Sequence, residues 1–268
     1  MGITTQYTVS LDEVGPVEVS LASYGSGQPF LLLHGGAGPQ SVTGFAEKFA
    51  AAHDVRVLVP THPGFAGTVR PGSLTSVPGL AALYGALLDQ LGLTDVTVIG
   101  NSIGGWITAE IALLKSPRVS GIVLVDAVGI EVSGHPVADF FALTMDQVFE
   151  LSFHDPEPFR VDPATLPPAA QAIAAGNRTA IAVYAGSAMA DPTLVGRLGS
   201  LELPALVLWG ESDGIVDVGY GRAYAAAIPM ARFQLLPETG HSPQLETPDQ
   251  VDHAIWDSAD TGFSAFAR

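Results

Sequence analysis

A serine set between glycines, at the point where a strand gives way to a helix, constrains this chain most strongly. Gly100-Asn101-Ser102-Ile103-Gly104-Gly105 follows an apolar run at 96–99 and opens a helical stretch at 103–115. So tight a turn gives the serine unusual backbone angles and leaves no room for side chains two positions before and after it. The order predicts a nucleophile elbow, with Ser102 Oγ projecting from the sheet edge. A chance match in a Gly-rich turn is the alternative.

The rest of the chain alternates strands and helices as an α/β domain does. Continuously apolar runs are typical of strands buried on both faces, and they occur at 29–33, 55–60, 121–125 and 205–209. Helical spacing of apolar residues lies between them at 41–52 and 77–91. Because strand, helix and strand in succession form right-handed crossovers, we expect a parallel sheet. Alternating residues at 5–10 and 17–23 predict an antiparallel hairpin at its edge.

The pattern changes after the strand at 121–125. From 129 to 201 no buried strand is predicted, and helical stretches at 137–153 and 168–190 indicate a helical cap over the site. We therefore expect an α/β core in two parts, 1–128 and 202–268, with a cap at 129–201. The aromatic residues of the cap favour an apolar acyl or alcohol portion in the substrate, although packing of cap on core explains each of them equally well. A final helix is predicted at 248–255 and a loosely held tail at 259–268.

Charge and composition exclude several classes of function. The net charge of −16, from 11 Lys+Arg and 27 Asp+Glu, would repel phosphate backbones and anionic membrane surfaces. We therefore expect a small-molecule substrate and neither nucleic acid nor membrane as partner; whether the chain forms a homo-oligomer stays open. The chain has no cysteine, and its seven histidines form no compact ligand pair, so no metal or other cofactor is expected. Without a run of roughly 18 apolar residues or a secretory signal pattern, we expect a cytoplasmic enzyme.

Two further loops carry the residue types that a serine nucleophile needs. A serine hydroxyl is a poor nucleophile at neutral pH, and it needs a base together with an anion that fixes the tautomer of that base. Asp213 follows the strand at 205–209, and His241 follows the last predicted strand at 232–236. Ser102, Asp213 and His241 thus arrive in the order Ser, Asp, His. Each lies at the carboxyl end of a strand, where open α/β sheets build their sites.

Glycines also follow the first buried strand, in the stretch His34-Gly35-Gly36-Ala37-Gly38-Pro39. Because glycine has no Cβ, such a loop brings backbone N–H groups close to whatever lies above the sheet. Gly36 is the best candidate to donate to an oxyanion, and a flexible strand-to-helix connection is an equal alternative. In the loop after the next strand, His62 is interpreted as a structural histidine that packs the loop rather than as a catalytic one.

From about Pro29 to Ile255 the sequence resembles the α/β-hydrolase superfamily. The resemblance is carried by His34-Gly35-Gly36, the elbow at 100–105, Gly210-Glu211-Ser212-Asp213 and Gly240-His241. It implies a mostly parallel eight-stranded sheet flanked by helices, with the cap inserted after the sixth strand. It also implies that the N–H groups of Gly36 and Ile103 form the oxyanion hole. Many relatives carry proline near position 217; Asp217 stands there in this chain and is a weak rival of Asp213 as the acid.

The residue types favour acyl-enzyme chemistry within that superfamily, since a serine nucleophile disfavours its haloalkane dehalogenases and epoxide hydrolases. Hydrolysis of carboxylic esters of small to medium apolar substrates is the first interpretation. Asn101 resembles the elbow of meta-cleavage-product hydrolases, which split carbon-carbon bonds, and Arg178 is a candidate partner for a substrate carboxylate. Ser242 stands where those enzymes usually carry tryptophan, so that activity comes second. A ligand-binding receptor on the same fold comes third. The expected substrate contacts are Gly35, Asn101, Phe141, Met145 and Arg178.

Overall fold

An eight-stranded sheet forms the centre of the molecule. The computed structural model describes residues 2–260, and its strands are β1 (Ile3–Leu11), β2 (Gly15–Gly25), β3 (Pro29–Leu33), β4 (Arg56–Pro60), β5 (Val96–Asn101), β6 (Val119–Val125), β7 (Ala205–Gly210) and β8 (Ala231–Leu236). Their order across the sheet is β1-β2-β4-β3-β5-β6-β7-β8. β2 pairs antiparallel with both β1 and β4, and all the other neighbours are parallel. The predicted sheet, with a hairpin at its edge, is confirmed.

Helices cover both faces of the sheet. They are α1 (Gln40–His53), α2 (Val77–Gln90), α3 (Ile103–Leu113), α4 (Met145–Ser152), α5 (Pro168–Ala185), α6 (Leu194–Leu198), α7 (Val218–Ala227), α8 (Pro243–Glu246) and α9 (Pro248–Asp260). α1 and α9 bury apolar residues on one face, whereas α2, α3 and α7 do so on the other. The central strands are continuously apolar because both of their faces are covered. Within residues 2–260 no helix is long and apolar enough to cross a membrane.

The segment between β6 and β7, residues 126–204, is called here the inserted segment and contains α4, α5 and α6. Near its start, Gly129 forms a parallel bridge with Ala190, and the Asp191 N–H donates to the Gly129 carbonyl at 2.8 Å. The bridge therefore joins the beginning of the segment to the stretch that precedes α6. The division of the chain at 128/129 and 201/202 stays a prediction.

The helix expected over 137–153 begins eight residues later, at Met145. Thr144 and Gln147 form a reciprocal cap that starts α4, because each side chain bonds to the backbone N–H of the other residue. Before it, the Ala138 N–H donates to the Ile215 carbonyl at 2.8 Å, and the Phe140 N–H donates to the Ala138 carbonyl two residues back at 2.6 Å, a spacing that an α-helix does not have.

Two other predicted boundaries also differ from the structure. α5 ends at Ala185 rather than at 190, because Gly186 adopts a φ of 65°, which interrupts helical geometry. The tail predicted at 259–268 is wrong at its first residue, since Ala259 is buried in α9. Residues 261–268 lie outside the part of the chain that the structure describes.

Arg197 on α6 ties the inserted segment to the core. Its guanidinium donates to both carboxylate oxygens of Glu110 on α3, each at 2.7 Å, and to Asp191 Oδ2 at 2.7 Å. The Glu110 side chain is only 5% exposed, so its charge depends on this two-point pairing. Arg160, also in the inserted segment, pairs with three exposed carboxylates, those of Asp146, Glu150 and Glu157.

Candidate active site

Ser102 occupies a strained turn between β5 and α3. Its φ of 57° and ψ of −120° lie outside the regions that ordinary residues adopt. A Cβ on Gly100 would overlap the Gly104 carbonyl oxygen, and one on Gly104 would overlap the Leu33 carbonyl oxygen. The glycines are thus required by close backbone approach, as the sequence predicted. The Ser102 N–H donates to the Val125 carbonyl at 3.0 Å, which fixes the turn to the end of β6.

The structure brings Ser102, His241 and Asp213 together in one hydrogen-bonded chain. Ser102 Oγ lies 2.9 Å from His241 Nε2, and His241 Nδ1 lies 2.8 Å from Asp213 Oδ2. All three side chains are buried, and they follow β5, β8 and β7 respectively, at the carboxyl ends of parallel strands in one sheet. Because an ionised carboxylate only accepts, Nδ1 carries the proton, and Nε2 is left to accept from the serine hydroxyl.

Backbone N–H groups orient the Asp213 carboxylate. Its Oδ1 accepts from Ile215 at 2.8 Å and from Val216 at 3.0 Å, which leaves Oδ2 for His241. Asp217, the rival acid, lies elsewhere: Oδ1 caps α7 by accepting from the Tyr220 N–H at 2.9 Å, and Oδ2 lies 2.8 Å from His135 Nδ1. Those bonds hold the pKa of Asp217 below its usual value although partial burial opposes them. Asp217 therefore has a local structural partner rather than His241.

The loop after β3 is held by His34. Its Nδ1 donates to the Gly35 carbonyl at 2.8 Å, and its Nε2 accepts from the His62 N–H at 3.1 Å. The Gly35 carbonyl and the Gly36 N–H belong to one planar trans peptide and therefore point in opposite directions. A bond that fixes that carbonyl thus also fixes the direction of the Gly36 N–H.

His62 supports His34 from behind and does not reach Ser102. Its Nε2 donates to the His34 carbonyl at 3.0 Å, and its Nδ1 accepts from the Tyr84 hydroxyl. Both imidazoles are fully buried, and burial lowers the pKa of His34 to about 4. Burial, and then the charge that His34 would carry, holds the pKa of His62 well below its usual value. The two rings are therefore neutral at neutral pH.

Two N–H groups near Ser102 are free to donate to a ligand. Among the backbone hydrogen bonds of residues 2–260, none is donated by Gly36 or by Ile103, the first residue of α3. Both residues line the cavity that contains Ser102. Gly35 packs against the elbow so closely that a Cβ there would lie 2.9 Å from Asn101 Oδ1. The arrangement can offer two donors to an oxygen bound beside Ser102.

The cavity has a volume of about 380 Å³ and lies between the elbow and the inserted segment. Its wall is mainly apolar and includes Phe140, Val148, Phe149, Phe153, Phe159, Ile181, Met189, Ile215 and Leu245. Ser102 and His241 face this space from the core side. A volume of this order suits a small organic molecule with an apolar portion.

Of the five expected substrate contacts, four line the cavity: Gly35, Asn101, Met145 and Arg178. The fifth, Phe141, is not among the residues that line the cavity, whereas Phe140 is. Because residues 137–144 are not helical, helical spacing misplaces the ring. Phe141 instead lies with Phe140 beside the Arg178 guanidinium, whose carbon is 5.6 and 4.9 Å from the two ring centres.

Hydrogen bonds of the cavity residues limit what they can offer a ligand. Arg178 Nη2 donates to the Phe140 and Phe141 carbonyls at 2.9 and 2.8 Å. Asn101 Nδ2 donates to the His241 carbonyl at 2.9 Å, so this amide braces the histidine loop.

The end of α4 contacts both loops that carry Asp213 and His241. The Leu151 carbonyl accepts from the Gly214 N–H at 2.8 Å, and the Ser152 carbonyl accepts from the His241 N–H at 2.7 Å. A Cβ on Gly240 would overlap the Ser152 carbonyl oxygen, so the histidine loop approaches α4 through glycine. The inserted segment is therefore hydrogen-bonded to the same loops that position Asp213 and His241.

One buried carboxyl group of the site was missed by the sequence reasoning. Asp126 directly follows β6, between the strands that lead to Ser102 and Asp213, and is fully buried. Its Oδ1 accepts from the Gly210 N–H at 2.8 Å. Burial, followed by the negative charge of Asp213, raises the pKa of Asp126 well above its usual value. Its place after an apolar run at 121–125 was the available signal, since Ser102 and Asp213 also follow such runs closely.

An open, mostly parallel α/β sheet with a serine elbow and an adjoining histidine and aspartate defines a class of hydrolase folds. The alpha/beta hydrolase family profile matches residues 30–254. The chain belongs to the alpha/beta hydrolase family.

Three known proteins illustrate its likeness. The chain is 30% identical over 256 residues to a 2-hydroxymuconate semialdehyde hydrolase of Pseudomonas putida, with 88% of each chain covered. It is 24% identical over 263 residues to a 2-hydroxy-6-oxo-6-(2'-aminophenyl)hexa-2,4-dienoic acid hydrolase of Metapseudomonas resinovorans, covering 92% of this chain and 89% of that protein. A thermophilic esterase from Thermogutta terrifontis has the same fold, with a TM-score of 0.76, 23% identity, and 97% and 98% of the two chains covered.

Proposed function

We propose that the protein is a serine hydrolase that acts through an acyl-enzyme intermediate on carboxylic esters of small to medium apolar substrates. The observation that carries this proposal is the chain of two hydrogen bonds from Ser102 through His241 to Asp213 at the wall of an apolar cavity. These groups suffice for acyl transfer without a metal or other cofactor. The expected partner is a small-molecule substrate, and the cytoplasmic location stays a prediction.

In the first step of the proposed reaction, Ser102 Oγ attacks the ester carbonyl carbon while its proton moves to His241 Nε2. Asp213 stabilises the imidazolium that forms, and its bonds from Ile215 and Val216 keep it in place. The N–H groups of Gly36 and Ile103 donate to the carbonyl oxygen as it becomes negative. Collapse of the tetrahedral intermediate transfers the proton from His241 to the leaving alcohol.

In the second step, water attacks the acyl group on Ser102. His241 takes a proton from that water, and the acid product leaves as the proton returns to Ser102 Oγ. α4 and α5 act as a cap in this proposal, since they form much of the cavity wall and reduce the access of bulk water. The apolar wall favours an apolar acyl or alcohol portion.

A second candidate is hydrolysis of a carbon-carbon bond in a 2-hydroxy-6-oxo-dienoate. Two observations favour it: the relatives from Pseudomonas putida and Metapseudomonas resinovorans are named for such substrates, and Arg178 lines the cavity. That reaction needs a group that binds the substrate carboxylate and others that move a proton along the dienol before cleavage. Arg178 Nη2 already bonds to two main-chain carbonyls, and for this reason ester hydrolysis is placed first.

One assay separates these candidates. Purified protein is given p-nitrophenyl esters of short and medium chain length and, in parallel, a 2-hydroxy-6-oxo-dienoate, with no metal added. Ester turnover is expected to dominate, measured as kcat/KM. Dominant dienoate cleavage that falls sharply in Arg178→Ala would favour the second candidate.

If the protein is instead a ligand-binding receptor, the same assay gives a third result. Neither substrate would turn over, a serine-directed phosphonate would fail to react, and a small ligand would still raise the Tm, because stabilisation needs only occupancy of the cavity.

A further inference from the structure

The buried face of α5 rests directly on the loop that carries Gly36. Residues at successive helical turns form this face, namely Asn177, Ala180, Ile181 and Tyr184. A Cβ on Gly36 would lie 2.7 Å from Ile181 Cδ1, and the Tyr184 hydroxyl donates to the Pro63 carbonyl at 2.8 Å. α5 is therefore packed against the two loops that follow β3 and β4.

Asn177 is the polar member of this face and is only 4% exposed. Its Nδ2 donates to the Ala37 carbonyl at 3.1 Å, and its Oδ1 accepts from the Ala66 N–H at 2.9 Å. A buried amide is costly unless its groups are paired, and here both ends are paired with main-chain groups of different loops. The side chain thus fixes the distance between α5 and the backbone next to Gly36.

The loop at 35–38 needs support from outside because three of its four residues are glycine. His34 holds the Gly35 carbonyl on one side of Gly36. On the other side, the Ala37 carbonyl accepts from Asn177 and also from Gln40. Asn177 is 4% exposed and lines the cavity, whereas Gln40 is exposed to solvent, so the bond from α5 is the better shielded of the two.

We propose that Asn177 is a positioning residue for the oxyanion hole. Its side chain holds the Ala37 carbonyl in place, so that the Gly36 N–H points at the oxygen of the tetrahedral intermediate. The inference rests on the proposed function. It assigns to the inserted segment a part in catalysis through the backbone, in addition to lining the cavity. Asn177 does not contact Ser102 or His241 through any hydrogen bond recorded within residues 2–260.

The test begins with a control on the proposed function itself. Wild-type turnover of the best ester and its loss in Ser102→Ala are measured first; if that step fails, the proposed function fails and not the role of Asn177. Asn177→Asp is then compared with wild type, because aspartate keeps the acceptor for Ala66 and removes the donor to Ala37. Thr179→Ala is the matched control, since Thr179 is exposed on the same helix and, within residues 2–260, the recorded bond of its hydroxyl goes to the Ala175 carbonyl of that helix.

For Asn177→Asp we expect kcat to fall roughly tenfold or more with little change in KM, because removal of a whole oxyanion donor costs about 10²–10³ in kcat and displacement costs less. Affinity for an alkyl boronic acid, whose tetrahedral adduct with Ser102 places an oxygen in the oxyanion hole, is expected to fall by a similar factor. Thr179→Ala should match wild type.

A merely structural role predicts a different result. Asn177→Asp would then lower the Tm while kcat and boronate affinity stayed within about twofold of wild type, a difference of some 0.4 kcal/mol; this outcome overturns the proposal. A rise in KM at unchanged kcat would also overturn it, because it would mark a direct substrate contact. If the variant is too unstable to assay, amide hydrogen exchange of residues 35–38 in Asn177→Ser decides, since unchanged protection in that loop contradicts the proposed support.

Discussion

Asp213 and Asp217 lie four residues apart on one loop and bond to different histidines: Asp213 Oδ2 to His241 Nδ1 and Asp217 Oδ2 to His135 Nδ1, each at 2.8 Å. Only the first histidine reaches Ser102. The acid and its rival can therefore be distinguished by matched substitutions.

We expect Asp213→Asn to fold and to lose several orders of magnitude in kcat, because an amide that donates to Nδ1 favours the wrong tautomer of His241. Asp217→Asn is the matched control and should leave kcat within a few-fold of wild type. Steady-state kinetics on one ester, with circular dichroism of both variants, checks this. The reverse ranking of the two variants would make Asp217 the acid.

Ser102→Ala should reduce kcat roughly 10³-fold or more and abolish labelling by a serine-directed phosphonate. Mass spectrometry of the labelled wild-type protein should place the phosphonate on the peptide that contains Ser102. Ser41 and Ser152 also line the cavity and provide the internal control. Label on either of them, or unchanged turnover in Ser102→Ala, would rule out Ser102 as the nucleophile.

Replacement of Asp126 should change how stability depends on pH. Since its pKa in the folded protein lies well above the ordinary 3.8, the folded state keeps a proton that the unfolded chain loses, and stability falls as pH rises above about 4 towards the raised pKa. Asn has no such proton and can still accept from the Gly210 N–H. We therefore expect the Tm of Asp126→Asn to rise relative to the Tm of wild type as the pH increases from 5 to 8.

Thermal melts of both proteins over this pH range provide the measurement. Asp217→Asn serves as the control: because the pKa of Asp217 is lowered from 3.8, its charge stabilises the fold fully above about pH 4, and the Tm difference between this variant and wild type should stay constant over the range. A Tm difference between Asp126→Asn and wild type that does not vary with pH would mean that Asp126 is already ionised in the folded protein.

Two arginines of the inserted segment should differ in their effect on stability. Arg197→Gln leaves the buried Glu110 charge without its two-point partner, and we expect a loss of about 2–3 kcal/mol, below the 3–5 kcal/mol of a fully buried pair because the Arg197 side chain is 37% exposed. Arg160→Gln should change the urea midpoint little, since its partners are exposed. Equal shifts of the urea midpoint in the two variants would contradict the argument that burial of Glu110 makes its ion pair the more stabilising one.

Much of this architecture is predictable from local sequence. The central strands follow from apolar runs that only a sheet covered on both faces explains, and the elbow follows from the steric needs of Gly100 and Gly104. Ser102, Asp213 and His241 could be grouped because the carboxyl ends of the parallel strands lie at one edge of the sheet.

The remaining features depend on contacts between distant parts of the chain. The conformation of the residues before α4 depends on the bond from the Ala138 N–H to the Ile215 carbonyl, which the periodicity of apolar residues does not predict. As a result Phe140, and not Phe141, lines the cavity. Asn177 is a single polar residue in a helix, and its importance lies in two main-chain partners more than 100 positions away. Asp126 gains its raised pKa from burial beside Asp213 rather than from its neighbours in sequence.

The bonds from α4 to the loops that carry Asp213 and His241 are made by the Leu151 and Ser152 carbonyl groups, and main-chain bonds of this kind do not depend on the identity of the side chain. Val148 and Phe149, one turn earlier on the same helix, face the cavity. Mutations at these two positions can therefore change the shape of the cavity wall while the main-chain bond between Ser152 and His241 stays the same. In laboratory evolution, a library randomised at 148 and 149 with 151–152 left intact offers a way to alter selectivity while Ser102, His241 and Asp213 keep their relative positions.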